Sequence, residues 1–306
     1  MAVELARKQL LPKPWGVAEL GPWGQTGASG IQIGEIQFDR PGTPTGKSSL
    51  LLKLLLTDQP LSIQVHPDDA FAHAIGLPNG KTEAWYVLSA APGAQVAHGL
   101  KQHVTQQELR KAARDGTIAE LVAWRDVSAG DAIYIPAGTI HAIGAGLVIA
   151  EIQQRSDVTY RLFDYGRPRE LHIDRAIAVA NTGPAVVQLH RSRLSDERTL
   201  LIANAHFAFE RIELAPRSAW SLSAPRETWL LVVSGGASAG AFDIVTGEAI
   251  FAENDRVEIH AGEAGMTALV AYGGSAPVDL LRPLDATPGL PWIAAEPANE
   301  NMETMQ

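Results

Sequence analysis

Between residues 31 and 38 the chain reads Ile-Gln-Ile-Gly-Glu-Ile-Gln-Phe, alternating apolar and polar positions with the period of a half-buried strand. Leu50–Leu56 is apolar apart from Lys53, and Leu61–His66 follows the turn-like Asp58-Gln59-Pro60, so both segments are predicted as strands. Ala84–Leu88, Ala132–Ile135, Leu147–Ile152 and Val158–Phe163 continue the series. Helical periodicity is confined to about 106–124, where Leu109, Ala112, Ala113, Ile118, Leu121 and Val122 share a stripe that Gly116 interrupts. Beyond a linker-like stretch at Asn181–Pro184, strands resume at Phe207–Leu214, Glu227–Val233, Gly240–Phe251 and Met266–Tyr272. The pattern predicts a mainly β chain in two units. Residues 1–185 form the larger one, with inserted helices, and residues 186–285 a smaller all-β one. A tail at 286–306, rich in Pro, Glu and Asn, is expected to carry little core. The strand count and spacing suit a barrel or jelly roll.

Composition sharpens this picture by exclusion. The 28 glycines and 19 prolines cut the 306 residues into short pieces, as turn-rich β structure requires. With 46% hydrophobic side chains the chain can bury a substantial core, which excludes a disordered protein. The absence of cysteine removes disulfides, thiolate nucleophiles and Cys-ligated metals. A net charge of −9 argues against nucleic-acid partners, which need clustered Lys and Arg. No stretch reaches membrane-spanning length, and the N-terminus offers no signal-peptide core, so a soluble, cytoplasmic protein without a membrane partner is expected.

Candidate chemistry concentrates in the first unit. Gln64 and His66 are two apart on a predicted strand, so both project from one face while Ile63 and Val65 face the other. Glu83 opens a strand of apolar and aromatic residues, an awkward place for a carboxylate without a cation, and Lys81 precedes it by two. His141 follows the Pro136-Ala-Gly138 turn. Together these residues make an N/O ligand set for a divalent transition metal: zinc, Fe(II), Mn(II) or Ni(II). Arg161 sits among apolar and aromatic neighbours, where it either lines a cavity or pairs with Asp157 or Asp164. Lys53 interrupts an apolar strand, so it either meets an anion or snorkels to solvent.

Four motifs stand in order with characteristic intervals: Gln64-Val-His66-Pro67-Asp-Asp, Gly80-Lys81-Thr82-Glu83-Ala-Trp-Tyr86, Pro136-Ala-Gly138-Thr139-Ile-His141-Ala and Glu151-Ile-Gln-Gln-Arg-Ser-Asp-Val-Thr-Tyr-Arg161. Over residues 10 to 175 the chain resembles the short bacterial form of type I mannose-6-phosphate isomerase, a cupin enzyme. The resemblance implies a jelly-roll cupin barrel followed by a smaller, metal-free cupin-like β domain. It implies one zinc per chain held by Gln64, His66, Glu83 and His141, with Arg161 as the active-site arginine. Gln37 stands where that family more often has Trp, and Arg155 replaces a common Asn.

The implied reaction interconverts mannose 6-phosphate and fructose 6-phosphate through an enediol, which needs a base and a charge that stabilises oxyanions. Lys81 and Glu151 are the candidate bases. The substrate phosphate requires cations in an acidic protein, for which Arg161, Arg167 and Lys53 are candidates, with Ser62 as a hydrogen-bond donor on the ligand face. The expected partner is therefore a phosphosugar, and the expected assembly a monomer or weak homodimer. Two other classes remain: a cupin dioxygenase, disfavoured by Gln64 and by the Arg161–Arg167 pair, and a non-catalytic sugar-binding cupin. His98, His103, His172, His190, His206 and His260 read as surface or structural residues, and Asp68, Asp69 and His73 as capping or pairing groups on a short helix. The second unit is expected to pack on the first through Phe207, Trp220, Trp229 and Leu231.

Overall fold

The computed structural model describes residues 3–25, 30–42, 48–186 and 191–284; the tail 286–306 and His190 lie outside them. Two sheets form the first unit. One runs in the order Arg7–Val17, Ile33–Asp39, Leu50–Thr57, Leu147–Gln154, Glu83–Ala90, Ala132–Ile135. The other runs Tyr160–Phe163, Ile63–Val65, His141–Ile143, Gln95–Leu100, Val122–Asp126. Their ladders are antiparallel, and apolar side chains from both meet between them: Leu55, Trp85 and Ile149 from the six-stranded sheet, Val96 and Ile143 from the five-stranded one. This is the jelly roll anticipated from strand count.

The outer faces are covered by different partners. Helices α1 (Asp69–Ala74), α2 (Gln106–Asp115), α3 (Ile118–Leu121) and α4 (Ile173–Val179) belong to the first unit. Of these, α2, α3 and α4 pack Leu109, Ile118 and Ile177 against Ile63, Val65 and Leu162 of the five-stranded sheet. Thr105 and Glu108 form a reciprocal capping box that starts α2, and Gly116 at φ 83° ends it. The predicted helix over 106–124 therefore stops early. Residues 122–126, including Trp124, pair as a strand with Gln95–Leu100, because the edge of the sheet there needs a partner.

The second unit is a ten-stranded sheet around the 19-residue strand Asp255–Gly273, which pairs with Thr228–Ala239 along both its halves, with Phe207–Leu214 at one end and with Ala219–Ala224 at the other. The predicted single strand at 240–251 is two, Phe242–Val245 and Ala249–Ala252. Phe207, Trp229 and Leu231 pack against Ile36, Phe38, Leu52 and Leu54 on the outer face of the six-stranded sheet, as expected of a docked unit. Trp220 does not. It packs against the second unit's own core with Leu222 and Ile259, because its strand lies on the far side. Val3–Leu5, assigned by sequence to the first unit, pairs instead with Ala249–Ala252 of the second.

One consequence for the site concerns the alternating strand at Ile33–Asp39. Its apolar Ile36 and Phe38 face the second unit, so its polar Glu35 and Gln37 face the barrel interior rather than solvent. The interior of this barrel is polar at one end.

Candidate metal centre

Antiparallel register aligns the site residues in rows. On the five-stranded sheet Arg161 stands beside Gln64, Gln64 beside His141, and His141 beside His98. On the facing sheet Gln37 stands beside Lys53, Lys53 beside Glu151, and Glu151 beside Trp85. Glu83 opens the same strand as Trp85, one pleat away and on the same face. Residue parity, legible in the sequence, is what sends both rows inward.

His66, Glu83 and His141 converge: one ligand atom from each lies within 4.8 Å of the others, and all three are buried. The His66 Nδ1 donates to the Val158 carbonyl at 2.8 Å and the His141 Nδ1 to the Thr139 carbonyl at 2.9 Å. These bonds fix the tautomers and leave both Nε2 lone pairs turned inward. Glu83 lies 3.6 Å from the His66 Nε2 and 3.3 Å from the His141 Nε2, and one of its oxygens lies 3.0 Å from the Lys81 ammonium. Burial pushes the His141 pKa down to about 4 and that of His66 well below its usual value, so neither ring donates to the carboxylate. Three acceptors buried around one point call for positive charge, of which the neighbouring Lys81 ammonium reaches Glu83 and His66 but not His141.

The residues present therefore fit a divalent metal with imidazole and carboxylate ligands. The Gln64 amide nitrogen lies 3.3 Å from the His141 Nε2, while Ser62 donates to its oxygen at 3.0 Å. Half a turn of that amide presents the oxygen to the cluster, and its nitrogen can then donate to the Ser62 hydroxyl. Ser62 thus serves Gln64.

Lys81 lies 3.0 Å from Glu83 and 3.2 Å from the His66 Nε2. Burial opposes its charge, but the Glu83 and Glu151 carboxylates outweigh burial and raise its pKa. Glu151 behaves oppositely: burial first, then Glu83, raises its pKa above the ordinary carboxylate value. Trp85, which carried no chemical signal in the sequence, holds one Glu151 oxygen with its indole N–H at 3.0 Å. Lys53 is buried, with Gln37 and Glu151 as its ladder neighbours. Burial alone would raise the Glu35 pKa, yet Lys53 and Lys13 together hold it below the usual value. Lys53 thus faces the barrel interior beside Glu151 in the ladder, where its charge acts on Glu35.

Arg161 has its Nε buried without a partner. Near it Asp164 receives Arg167 at 3.0 Å and Arg169 at 2.5 and 2.6 Å, while Arg167 also donates to the Pro60 carbonyl at 2.6 Å. Arg169 lies over the Trp15 ring, 4.8 Å from its centroid. Three arginines around one carboxylate leave a local positive excess in an acidic protein. Arg169 was not singled out by sequence; its signal was the spacing of two from Arg167.

No family model matches the chain. A mannose-6-phosphate isomerase of Streptococcus mutans is 38% identical to it over 188 residues, 58% of this chain and 58% of the relative. A mannose-6-phosphate isomerase of Bacillus subtilis is 39% identical over 178 residues, 54% of this chain and 56% of the relative. These matches span a little over half the length of those relatives. The crystal structure of the mannose 6-phosphate isomerase from Bacillus subtilis superposes with a TM-score of 0.77 at 23% identity, covering 89% of this chain and 100% of that one. A phosphomannose isomerase variant from Salmonella typhimurium gives 0.69 at 15% identity, over 90% and 100%. The chain is similar to mannose-6-phosphate isomerases in sequence and shares their fold.

Proposed function

We propose that this chain is a zinc-dependent aldose–ketose isomerase that interconverts mannose 6-phosphate and fructose 6-phosphate through an enediol. The observation that carries this reading is the convergence of two imidazole Nε2 atoms and the Glu83 carboxylate on one buried point, with Glu151, Lys81 and Arg161 around it. The names of the similar proteins supply the substrate. His66, Glu83 and His141, joined by the turned Gln64 amide, would hold the zinc, which supplies Lewis-acid polarisation of the sugar oxygens.

The remaining steps belong to the side chains. Glu151 takes the proton from the carbinol carbon beside the aldehyde and returns it to the former carbonyl carbon, while the hydroxyl proton passes from the carbinol oxygen to the former carbonyl oxygen, so that the aldose and the ketose hold the same atoms. A carboxylate raised by burial suits a group that must both accept and give back a proton. Trp85 fixes which oxygen is free to do so. Lys81, kept charged by Glu83 and Glu151, steadies the negative charge around the base rather than acting as the base itself. Arg161 faces the oxygens on which charge develops, and Arg167 and Arg169 meet the phosphate. A phosphosugar is charged and does not cross a bilayer unaided, so we place the activity in the cytoplasm; no helix among the described residues is long and apolar enough to span a membrane.

The test is metal analysis of the purified protein together with an isomerase assay. About one zinc per chain and conversion of mannose 6-phosphate are expected, and His141→Ala should lose both together because it removes a ligand. Stoichiometric metal without interconversion of the two sugars would overturn the reading.

A further inference from the structure

The segment Gly80–Glu83 carries Lys81 and Glu83, yet residues 80–82 lie outside the strand that Glu83 begins. Something other than a ladder must hold them. The Asp69 Oδ1 accepts the Gly80 N–H at 2.7 Å and the Gln154 side-chain amide at 2.9 Å. The Gln154 Oε1 in turn accepts the Thr82 N–H at 2.9 Å, and the Gln154 N–H donates to the Thr82 carbonyl at 3.0 Å. Lys81 N–H meets the Pro67 carbonyl at 2.9 Å, and a Cβ on Gly80 would come within 2.4 Å of the Asp68 backbone. Only glycine allows this approach. The Thr82 hydroxyl also accepts the Ala137 N–H at 3.3 Å, and the His66 carbonyl accepts the Gly138 N–H at 2.8 Å. The three segments that bear His66, Glu83 and His141 are therefore tied to one another beside the cluster.

We infer that Asp69 and Gln154 are positioning residues: their hydrogen-bonded pair braces Gly80–Glu83 against the Pro67–Asp69 turn and so sets the separation of His66 from Glu83 and Lys81. The inference rests on the metal-centre reading for its consequence, but not for its geometry. The chemistry selects these side chains. An amide is the one group here that accepts from Thr82 while donating to Asp69, and the Asp69 carboxylate fixes which end of the amide points where. Gln154 is buried at 6% exposure, so a wrongly turned amide would leave a polar atom unpaired. A carboxylate at 154 keeps the acceptor, loses the donor and faces Asp69 with like charge.

The test titrates zinc into the metal-free, full-length protein against a competing chelator and follows amide exchange at Thr82. Asp69→Ala and Gln154→Glu should each weaken zinc binding about tenfold or more, and Thr82 should lose exchange protection. Asp69→Asn retains the acceptor and should stay near the parent on both readouts. The double variant should bind zinc no more weakly than the worse single variant, since either change breaks the same brace. A fall in thermal midpoint in Asp69→Ala with unchanged zinc affinity and unchanged Thr82 exchange would overturn the inference. Should the parent protein bind no zinc, the metal-centre reading fails on its own, and Thr82 exchange still decides the brace. If Gln154→Glu does not fold, the contrast between Asp69→Ala and Asp69→Asn carries the same decision.

Discussion

Arg161 stands beside Gln64 in the ladder, two strands from His141, and its buried Nε has no partner. A guanidinium held this way offers a rigid fork of donors to a developing oxyanion. Arg161→Lys keeps the charge and loses the fork, so kcat should fall about 10²–10³-fold. Metal content should be unchanged, because Arg161 is not a ligand; near-parental kcat with full metal would remove its assigned role. The same residues show how far the sequence reaches. Gln64, His66 and Arg161 were legible because strand parity puts alternate side chains on one face, and an ionisable group on that face has few explanations. Gln154 and Trp85 were not legible. Their partners, Thr82, Asp69 and Glu151, are set by which strands neighbour one another, and no local pattern encodes that.

At the scale of elements, the strand Ile33–Asp39 carries the main lesson. Its alternation gave the strand and its pleat correctly but not which face meets water. Both faces are covered here, the apolar one by the second unit and the polar one by the barrel interior. Periodicity reports a difference between two faces and does not name their environments. The helix over 106–124 failed for a related reason: Val122 fits the stripe, and only the unfilled sheet edge draws it into a strand. The junction of the units has its own anchor. Glu227 accepts the N–H and hydroxyl of Ser49 at 2.6 and 2.7 Å, the Leu50 N–H at 3.0 Å and the Trp229 indole at 3.0 Å. It thereby pins the start of the strand that carries Lys53. Glu227→Ala should cost about 2–4 kcal/mol in denaturant unfolding, since several donors lose a charged acceptor at once. A loss below about 0.5 kcal/mol would mean that those donors find other partners.

For the whole molecule, the layers run from helices through the five-stranded sheet, the barrel interior and the six-stranded sheet to the second unit, and the titratable histidines of the interior are locked away from water. Burial pushes His98 and His141 down to about 4, with Arg125 adding to the effect at His98. Each ring ordinarily titrates near 6.5. Between those values the unfolded chain binds protons that the folded one refuses, so stability is full above about pH 6.5 and is lost as pH falls toward 4. In the metal-free protein, unfolding free energy should decline through that window, and His98→Gln should flatten the decline without touching a metal ligand. An unchanged slope in that variant would show that His98 titrates normally. The mainly β jelly roll was legible from strand spacing, whereas the crossing of Val3–Leu5 into the far sheet was not, because three residues carry too little pattern to name a partner. That crossing bears on how quickly the fold can close. Val3 pairs with Ala252, so this ladder joins two segments separated by most of both units. Contacts between positions so far apart must meet the cost of closing a long loop before they return any stability, and they slow folding.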